Sequence, residues 1–231
     1  MNEERLYSAC TIGTEICECF NDLTKEEKEF LEKNTIKVKY KKGEIICKQG
    51  SYASHVMSVK NGLVKVFLDD GFNSLVLKII RSGNLLGLSS INEDHVAFQY
   101  SAMAYVDTEI EQINLLAFRK LLSANPVFAR SVIDILSANS VQINSRFFCL
   151  THKQSYGRLA DILLCLADRV FKEKEFDLPL SRKDLAELSA MSTETVVRML
   201  RKFKEDGLIE MDGKVIKILD YERLIGISQK G

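Results

Sequence analysis

The stretch 180–218 constrains the fold most strongly, because it carries start and stop signals for two short helices joined by a tight turn. Ser181 is a favourable N-cap for the first helix, and Asp184 follows three residues later to satisfy the free amides. Ser192 caps a second helix, and Gly207 follows that helix as a typical C-terminal stop. The sequence therefore predicts a helical hairpin in this stretch.

The second helix of this hairpin has two distinct faces. Val196, Met199, Leu200 and Phe203 recur at helical spacing, which predicts one buried stripe. The opposite face is polar and positively charged, and its members are Thr193, Glu194, Val197, Arg198, Arg201 and Lys202.

A β-hairpin is predicted directly after the second helix. Residues 208–210 and 214–218 favour strands, with Asp212 and Gly213 as the turn. Helix, turn, helix and hairpin in this order predict a winged helix-turn-helix, in which the second helix enters the DNA major groove. The alternative is an ordinary helical hairpin with a solvated charged face. The predicted DNA-contacting residues are Ser181, Ser192, Thr193, Glu194, Val197, Arg198, Arg201 and Lys202.

The residues from Ile36 to about Ile113 have a different sequence pattern. Short β-rich runs alternate with glycines, which predicts a β-roll, also called a jelly roll or double-stranded β-helix. The predicted class is α+β: this sensor-like domain, a long dimerisation helix and a C-terminal winged helix-turn-helix domain. The predicted boundaries are an N-terminal extension at 1–20, the β-roll at 21–124, the long helix at 125–151 and the DNA-binding domain at 152–231.

The long helix is predicted to begin at Asn125-Pro126, with Asn as the cap and Pro in the first turn. Residues spaced alternately by three and four along it predict a coiled-coil seam with two polar members, Asn139 and Arg146. The alternative is a helix that packs only on its own β domain. A hinge is predicted at 151–155. The predicted dimerisation residues are Val132, Leu136, Asn139, Ile143 and Leu150.

Composition narrows the class of protein. Lys+Arg and Asp+Glu both number 32, so the formal net charge is zero and the sequence-independent affinity of the protein for DNA phosphates should be modest. The way positive and negative residues are separated on the surface therefore matters more than the net charge. No apolar run has the length of a membrane span, and the first residues, MNEERLYSAC, are too polar for a signal peptide. We expect a cytoplasmic protein without a membrane partner, whose six cysteines are thiols or ligands rather than disulfides.

The order of β-roll, long helix and winged helix resembles the Crp/Fnr family of bacterial transcription regulators over about residues 20–224. Three segments of the sequence are similar to the family's β-roll turns and to the start of the helix after the hinge: 42–45, 61–66 and 157–160. The most specific similarity lies at 192–198, STETVVR, which resembles the family's recognition-helix pattern E-T-x-x-R.

This resemblance implies that Glu194 and Arg198 contact base edges in half-sites with a TGA-like core. The chemistry agrees, because Arg can donate two hydrogen bonds to guanine and Glu can accept one from cytosine. The alternative for this pair is a salt bridge within the helix. Val197 differs from the oxygen-sensing branch, which has Ser there, and Thr193 differs from the cyclic-AMP-binding branch, which has Arg.

The resemblance also suggests where an effector would bind. The cyclic-nucleotide-binding branch holds ribose and phosphate with a Gly-Glu pair and an Arg-Ser-Ala segment. In this sequence Leu88 replaces the Glu and Tyr100 replaces the Arg, so a buried phosphate would lack its charged partner. We therefore expect no tight binding of cyclic AMP. The candidate effector pocket consists of Gly87, Leu88, Ser89, Tyr100 and Ser101.

The cofactor is left open by the sequence. Cys10, Cys17 and Cys19 lie where the iron–sulfur branch has its cysteine cluster, but their spacing differs and the β-roll has no matching cysteine apart from Cys47. His152 is a candidate haem ligand. A three-cysteine metal site, a thiol switch and cysteines without any such role remain alternatives.

We expect a homodimeric, sequence-specific DNA-binding regulator that responds to an effector through its β-roll and contacts RNA polymerase. The alternative is a redox or ligand-sensing module whose C-terminal domain binds a partner other than DNA. His55 and His95 are the only histidines within the roll, too few for a metal-dependent enzyme, so no enzymatic activity is expected.

Overall fold

A computed structural model describes Ile12 and residues 18–94 and 96–230. The chain divides into two compact units, which are described separately. Of the described residues, the N-terminal unit contains 18–72, 79–94 and 96–140, and the C-terminal unit contains Ile12, 73–78 and 141–230.

The N-terminal unit is built mainly from short antiparallel strands. Two four-stranded sheets have the orders β1-β8-β3-β6 and β2-β7-β4-β5. The predicted jelly roll is therefore confirmed. The strands are β1 (Thr35–Tyr40), β2 (Ile45–Cys47), β3 (His55–Asn61), β4 (Leu63–Asp69), β5 (Ser74–Arg81), β6 (Leu85–Leu86), β7 (Ser101–Ala104) and β8 (Thr108–Asn114). Residues 74–78 of β5 are grouped with the C-terminal unit.

Gly62 forms the tight connection between β3 and β4. Its φ is 109°, a left-handed conformation that L side chains rarely adopt. A Cβ at this position would also lie 2.8 Å from the Cα of Thr108, at the start of β8. Glycine is therefore required here for two independent reasons, one conformational and one steric.

Two short helices flank the strands of the N-terminal unit: α1 (Lys25–Lys33) and α2 (Leu115–Ala124). A capping box begins α1, since the Thr24 backbone N–H donates to Glu27 Oε2 at 2.9 Å and the Glu27 N–H donates to Thr24 Oγ1 at 3.3 Å. Phe118 of α2 packs edge-on against Phe128 with ring centroids 5.3 Å apart, so these helices close one end of the core.

The long helix α3 (Pro126–His152) begins as the sequence predicts. The side-chain oxygen of Asn125 accepts hydrogen bonds from the backbone N–H groups of Val127 and Phe128, both at 3.0 Å. Phe128 and Val132 are buried in the core of the N-terminal unit. The first turns of α3 are therefore part of the sensor-like domain.

The C-terminal unit contains the remaining elements: α4 (Ser155–Cys165), a π turn (Leu166–Phe171), β9 (Glu175–Asp177), α5 (Arg182–Ser189), α6 (Thr193–Glu205), β10 (Ile209–Asp212), β11 (Val215–Ile218) and α7 (Tyr221–Lys230). The three strands form one antiparallel sheet in the order β10-β11-β9. In the part of the chain that the structure describes, none of the helices is long and apolar enough to cross a bilayer.

Candidate nucleic-acid interface

Local hydrogen bonds cap the N-termini of both α5 and α6. The Ser181 backbone N–H donates to Asp184 Oδ2 at 2.8 Å and the Asp184 N–H donates to Ser181 Oγ at 3.1 Å, so the predicted capping box is formed. Ala190 ends α5 in the left-handed region, with φ 50°. Ser192 then caps α6 by accepting from the Thr195 N–H at 3.1 Å. These contacts fix the residues at which the two helices begin.

One face of α6 is anchored in the C-terminal unit. Val196, Leu200 and Phe203 are buried, as the spacing predicts, and Phe203 packs against the Tyr156 ring with centroids 4.5 Å apart. The helix ends in a Schellman motif, because the Leu208 N–H donates to the Phe203 carbonyl and the Gly207 N–H to the Lys204 carbonyl. The helix α6 is thus held at both ends and along one side.

The opposite face of α6 is exposed over its full length. All of the side chains predicted to contact DNA from this helix lie on the surface: Thr193, Glu194, Val197, Arg198, Arg201 and Lys202. Val197 is 49% exposed, which is high for an apolar residue on a well-packed helix. Ser181 and Ser192, at the N-termini of α5 and α6, are exposed as well.

The charged residues of this face differ in their partners. Arg201 is paired with Glu205 one turn further along, with Nε 2.8 Å from Oε1. Within the described residues, neither Glu194 nor Arg198 forms a hydrogen bond or ion pair through its side chain, so the alternative of a salt bridge between them is not realised. Both side chains are therefore available to a ligand.

Lys202 lies at the margin of the exposed face. Its Nζ is 5.4 Å from the centre of the Tyr156 ring. The Tyr156 hydroxyl donates to Asp206 at 2.9 Å, and partial burial together with this bond to a carboxylate raises the pKa of Tyr156 to about 12. Tyr156 therefore stays neutral and supports both the core and the edge of the interface.

The wing, which is the hairpin of β10 and β11, has its turn one residue later than the sequence predicts. Asp212 pairs with Val215, so the turn residues are Gly213 and Lys214 rather than Asp212 and Gly213. Lys214 is therefore exposed at the tip of the wing, whereas the sequence predicts that it lies in a strand. The third strand, β9, was also missed, because three residues are too few to show an alternating pattern.

The predicted dimerisation residues of α3 fall into two groups. Val132 is only 1% exposed and packs in the core of its own unit, and Asn139 and Leu150 are half-buried. Leu136 and Ile143 are exposed, at 37% and 66%. The structure also exposes apolar residues that the predicted seam left out: Ile133, Val141 and Phe147. Arg146, predicted within the seam, is buried.

The five candidate pocket residues lie close together in the N-terminal unit. The Gly87 N–H donates to the Tyr100 hydroxyl at 2.7 Å, and Ser101 Oγ accepts from the Gln49 N–H at 3.0 Å. Leu88 is buried in the apolar core, and Ser89 Oγ is buried and has no hydrogen-bond partner within the described part of the chain. Burial raises the pKa of Tyr100, so this group of side chains carries no charge near neutral pH.

The candidate metal ligands are not brought together in the described part of the chain. Cys19 is buried among apolar residues of the N-terminal unit, whereas His152 is exposed and stacks on Phe148 with ring centroids 4.4 Å apart. Cys10, Cys17 and His95 lie outside the described residues. Among the described residues, no group of three His, Cys, Asp or Glu side chains could hold a metal ion, and Cys19, Cys47 and Cys149 are free thiols. Cys165 is disulfide-bonded, so the expectation that the cysteines form no disulfide is wrong for this residue.

Known protein families match both units. Residues 157–227 match the Crp-like helix-turn-helix domain, and residues 37–125 match the cyclic nucleotide-binding domain. Among solved structures, FixK2 from Bradyrhizobium japonicum aligns with a TM-score of 0.76 at 22% identity, covering 84% of this chain and 96% of that one. A crp/fnr-family regulator from Eubacterium rectale aligns with a TM-score of 0.75 at 21% identity, covering 92% and 98%.

Curated relatives are similar in sequence over most of their length. The chain is 28% identical over 193 residues to the transcriptional activator protein FnrA of Stutzerimonas stutzeri, covering 81% of this chain and 78% of the relative. It is 25% identical over 228 residues to the regulatory protein HlyX of Actinobacillus pleuropneumoniae, covering 93% of each. These relatives are regulators and not enzymes, as the sequence predicts. The chain belongs to the Crp/Fnr family of transcription regulators.

Proposed function

We propose that this chain acts as a homodimer on a palindromic DNA site, with one α6 helix in the major groove of each half-site. The observation that supports this most is the open face of α6, where Glu194 and Arg198 are exposed and have no partners among the described residues. Arg198 can donate to the O6 and N7 atoms of guanine, and Glu194 can accept from the amino group of cytosine. A TGA-like half-site core contains both bases when its two strands are counted.

Phosphate contacts would fix the register of α6 on the duplex. Ser181, Ser192 and Thr193 lie at helix N-termini, where hydroxyls and backbone N–H groups suit phosphate oxygens. Arg201 and Lys202 add positive charge along α6, and Lys214 adds charge at the wing tip. These contacts supply affinity without reading sequence.

The homodimer is supported by the exposed apolar surface of α3. Ile133, Leu136, Ser140, Ile143 and Phe147 are exposed and are spaced by three, four, three and four residues. This spacing is the heptad pattern of a paired helix. Leu136 and Ile143 of the predicted set belong to it, and Val132 does not. A second copy of the chain would cover this surface.

We propose that the N-terminal unit receives the signal and that its ligand is not cyclic AMP. The candidate pocket side chains, Leu88 and Tyr100 included, are neutral, so they offer no cation to a cyclic phosphate. Calorimetry with cyclic AMP should show no micromolar binding.

RNA polymerase is proposed as a further partner, because relatives are named transcriptional activators. The site of action would be the cytoplasm, where DNA and polymerase meet.

Selection of duplexes from a randomised DNA library by the purified protein tests the proposed function. We expect an enriched palindrome, bound with a stoichiometry of two chains per duplex by light scattering. A matched selection with Arg198→Ala should lose one enriched base per half-site, which assigns that base to the side chain. Enrichment of no sequence, or of an asymmetric site bound by one chain, would contradict the proposal.

A further inference from the structure

A buried polar cluster joins three helices of the C-terminal unit, and we name it the Asp161 clasp. Its members are Cys149 of α3, Lys153 directly after α3, Asp161 of α4 and Ser228 of α7. Asp161 Oδ1 accepts from Lys153 Nζ at 3.0 Å and from Ser228 Oγ at 2.9 Å. Its Oδ2 accepts from Cys149 Sγ at 3.3 Å. Both carboxylate oxygens therefore have partners.

The ion pair at the centre of the clasp is removed from water. The side chains of Lys153 and Asp161 are only 11% and 9% exposed. Burying an ion pair costs desolvation, which is offset only when the geometry is good and the remaining polar atoms are bonded. Apolar side chains of similar size would stabilise such a site about as well. What the pair adds is directional hydrogen bonding, which is satisfied in the arrangement of the three helices seen here.

Two arginines reinforce the same junction. Arg158 of α4 donates from Nη1 to the Leu150 carbonyl at 3.1 Å, in the last turn of α3. Arg146 of α3 is buried and donates from Nη2 to the Leu188 carbonyl near the C-terminus of α5, where a cation is favoured by the helix dipole. Residues before and after the hinge predicted at 151–155 thus make contacts that join α3 to the rest of the C-terminal unit.

We propose that Lys153, Asp161 and Ser228 are positioning residues for DNA binding: they fix the last turns of α3 to the helix-turn-helix, so that α3 sets the placement of α6. None of the three is among the residues proposed to contact DNA. The proposal rests on the proposed function, because two α6 helices must be held at one separation to read a palindrome. A clasp of this kind should decide which spacing between half-sites is bound.

Spacing preference is therefore the measurement that separates positioning from simple support of the fold. Ser228→Ala removes the hydrogen bond donated to Asp161 and the one accepted from Lys153 Nζ at 3.1 Å without changing charge, and Lys153→Gln removes the cation. Lys230→Gln, on the exposed end of α7, is the matched control. Each variant is titrated with the selected palindrome, with palindromes one base pair longer and shorter, and with a single half-site.

Labelling of Cys149 by N-ethylmaleimide, followed by mass spectrometry, reports whether the clasp opens. Cys149 is buried, and burial beside the Asp161 carboxylate raises the pKa of its thiol to about 12, so wild-type labelling should be slow. Loss of the Lys153 ammonium by itself disfavours the thiolate. Faster labelling in Lys153→Gln can therefore come only from opening, and Cys47 serves as the internal reference.

For Ser228→Ala and Lys153→Gln, we expect the preference for the optimal spacing to fall by about two- to tenfold, the worth of a buried hydrogen bond, with labelling of Cys149 faster by a similar factor. Half-site affinity should stay within about twofold, because α6 keeps its own contacts. An equal loss at every spacing and at the half-site, or unchanged spacing preference despite faster labelling, overturns the positioning role alone. A wild-type protein that binds no selected site overturns the proposed function as well.

Discussion

Arg201 and Glu205 form an ion pair on the exposed face of α6, with Nε and Oε1 2.8 Å apart, whereas Arg198 on the same face has no such partner among the described residues. An exposed pair of this kind contributes little to stability, but it occupies the donor edge of one guanidinium. The two arginines are therefore expected to differ in what they do at the DNA.

Arg198→Ala should lower the affinity for the selected site by about 1–3 kcal/mol per half-site and relax the preference at one base position, because a bidentate contact is lost. Arg201→Ala should weaken all sequences about equally and reduce the salt slope by about one, because only a phosphate contact is lost. Fluorescence anisotropy at several salt concentrations measures both effects. Equal behaviour of the two variants would refute the assignment of Arg198 to a base.

Ile143→Glu should shift the protein towards monomer by at least about tenfold in the dissociation constant, since it puts a carboxylate on the exposed apolar surface of α3. Val132→Ala is the contrasting variant. Val132 lies in the core of its own unit, so its truncation should cost on the order of 2 kcal/mol of unfolding free energy and leave the association constant unchanged. Sedimentation equilibrium and urea unfolding separate the two. A dimer weakened by Val132→Ala alone would favour the seam predicted from the sequence.

Gly62→Ala should destabilise the N-terminal unit by at least about 3 kcal/mol, because the new Cβ meets the backbone of Thr108 as well as a disfavoured φ. Gly50→Ala is the matched control, with φ 80° and open space around its Cβ, and should cost about 1 kcal/mol. Urea unfolding followed by circular dichroism measures the difference. Similar costs at both positions would show that only the backbone conformation matters.

The buried thiol of Cys47 predicts a loss of stability in alkaline solution. Burial raises its pKa from 9.0 to about 12, so the unfolded chain releases this proton first as the pH rises. The contribution of the neutral Cys47 thiol to the free energy of unfolding is fully present below pH 9.0. It is lost between that value and about 12, at roughly 1.4 kcal/mol per pH unit. Cys47→Ala should therefore flatten the decline in unfolding free energy above about pH 9.

A neighbour without a titratable group is the control for this measurement. Ile46→Val, also in the buried part of β2, should lower the unfolding free energy by about 1 kcal/mol at every pH and leave the slope unchanged. An identical alkaline slope in wild type and Cys47→Ala would contradict the assignment of the decline to this thiol.

Local signals explain what the sequence predicted well. The caps at Ser181 and Ser192, the stop at Gly207 and the stripe of α6 each depend on residues a few positions apart, and all are found in the structure. The side of α3 that packs on its own domain depends on distant contacts. Val132 and Ile133 are adjacent and differ by about 100° around the helix, so periodicity alone placed the buried residue in the seam.

Buried charges and short elements were harder to predict. Lys153 and Asp161 lie within a stretch where charged residues normally indicate surface, and nothing in their spacing predicts that their partners are Ser228 and Cys149. The helix α7 was missed as well. Tertiary contacts decided each of these features, and a single sequence does not display such contacts.

The contacts made by the end of α3 determine where the DNA-reading part of the protein can be cut. A fragment that starts at His152, the boundary predicted from the sequence, would lack Arg146 and Cys149, leaving the Leu188 carbonyl without its guanidinium and Asp161 without its thiol donor. A fragment that starts at Val141 retains both, but it lacks 73–78 of the same unit, where the Val76 carbonyl accepts from Arg146 Nη2 at 3.0 Å. Residues 141–152 therefore belong to the DNA-reading fragment as much as to the dimer helix, and a shorter piece would be a damaged domain rather than an autonomous one.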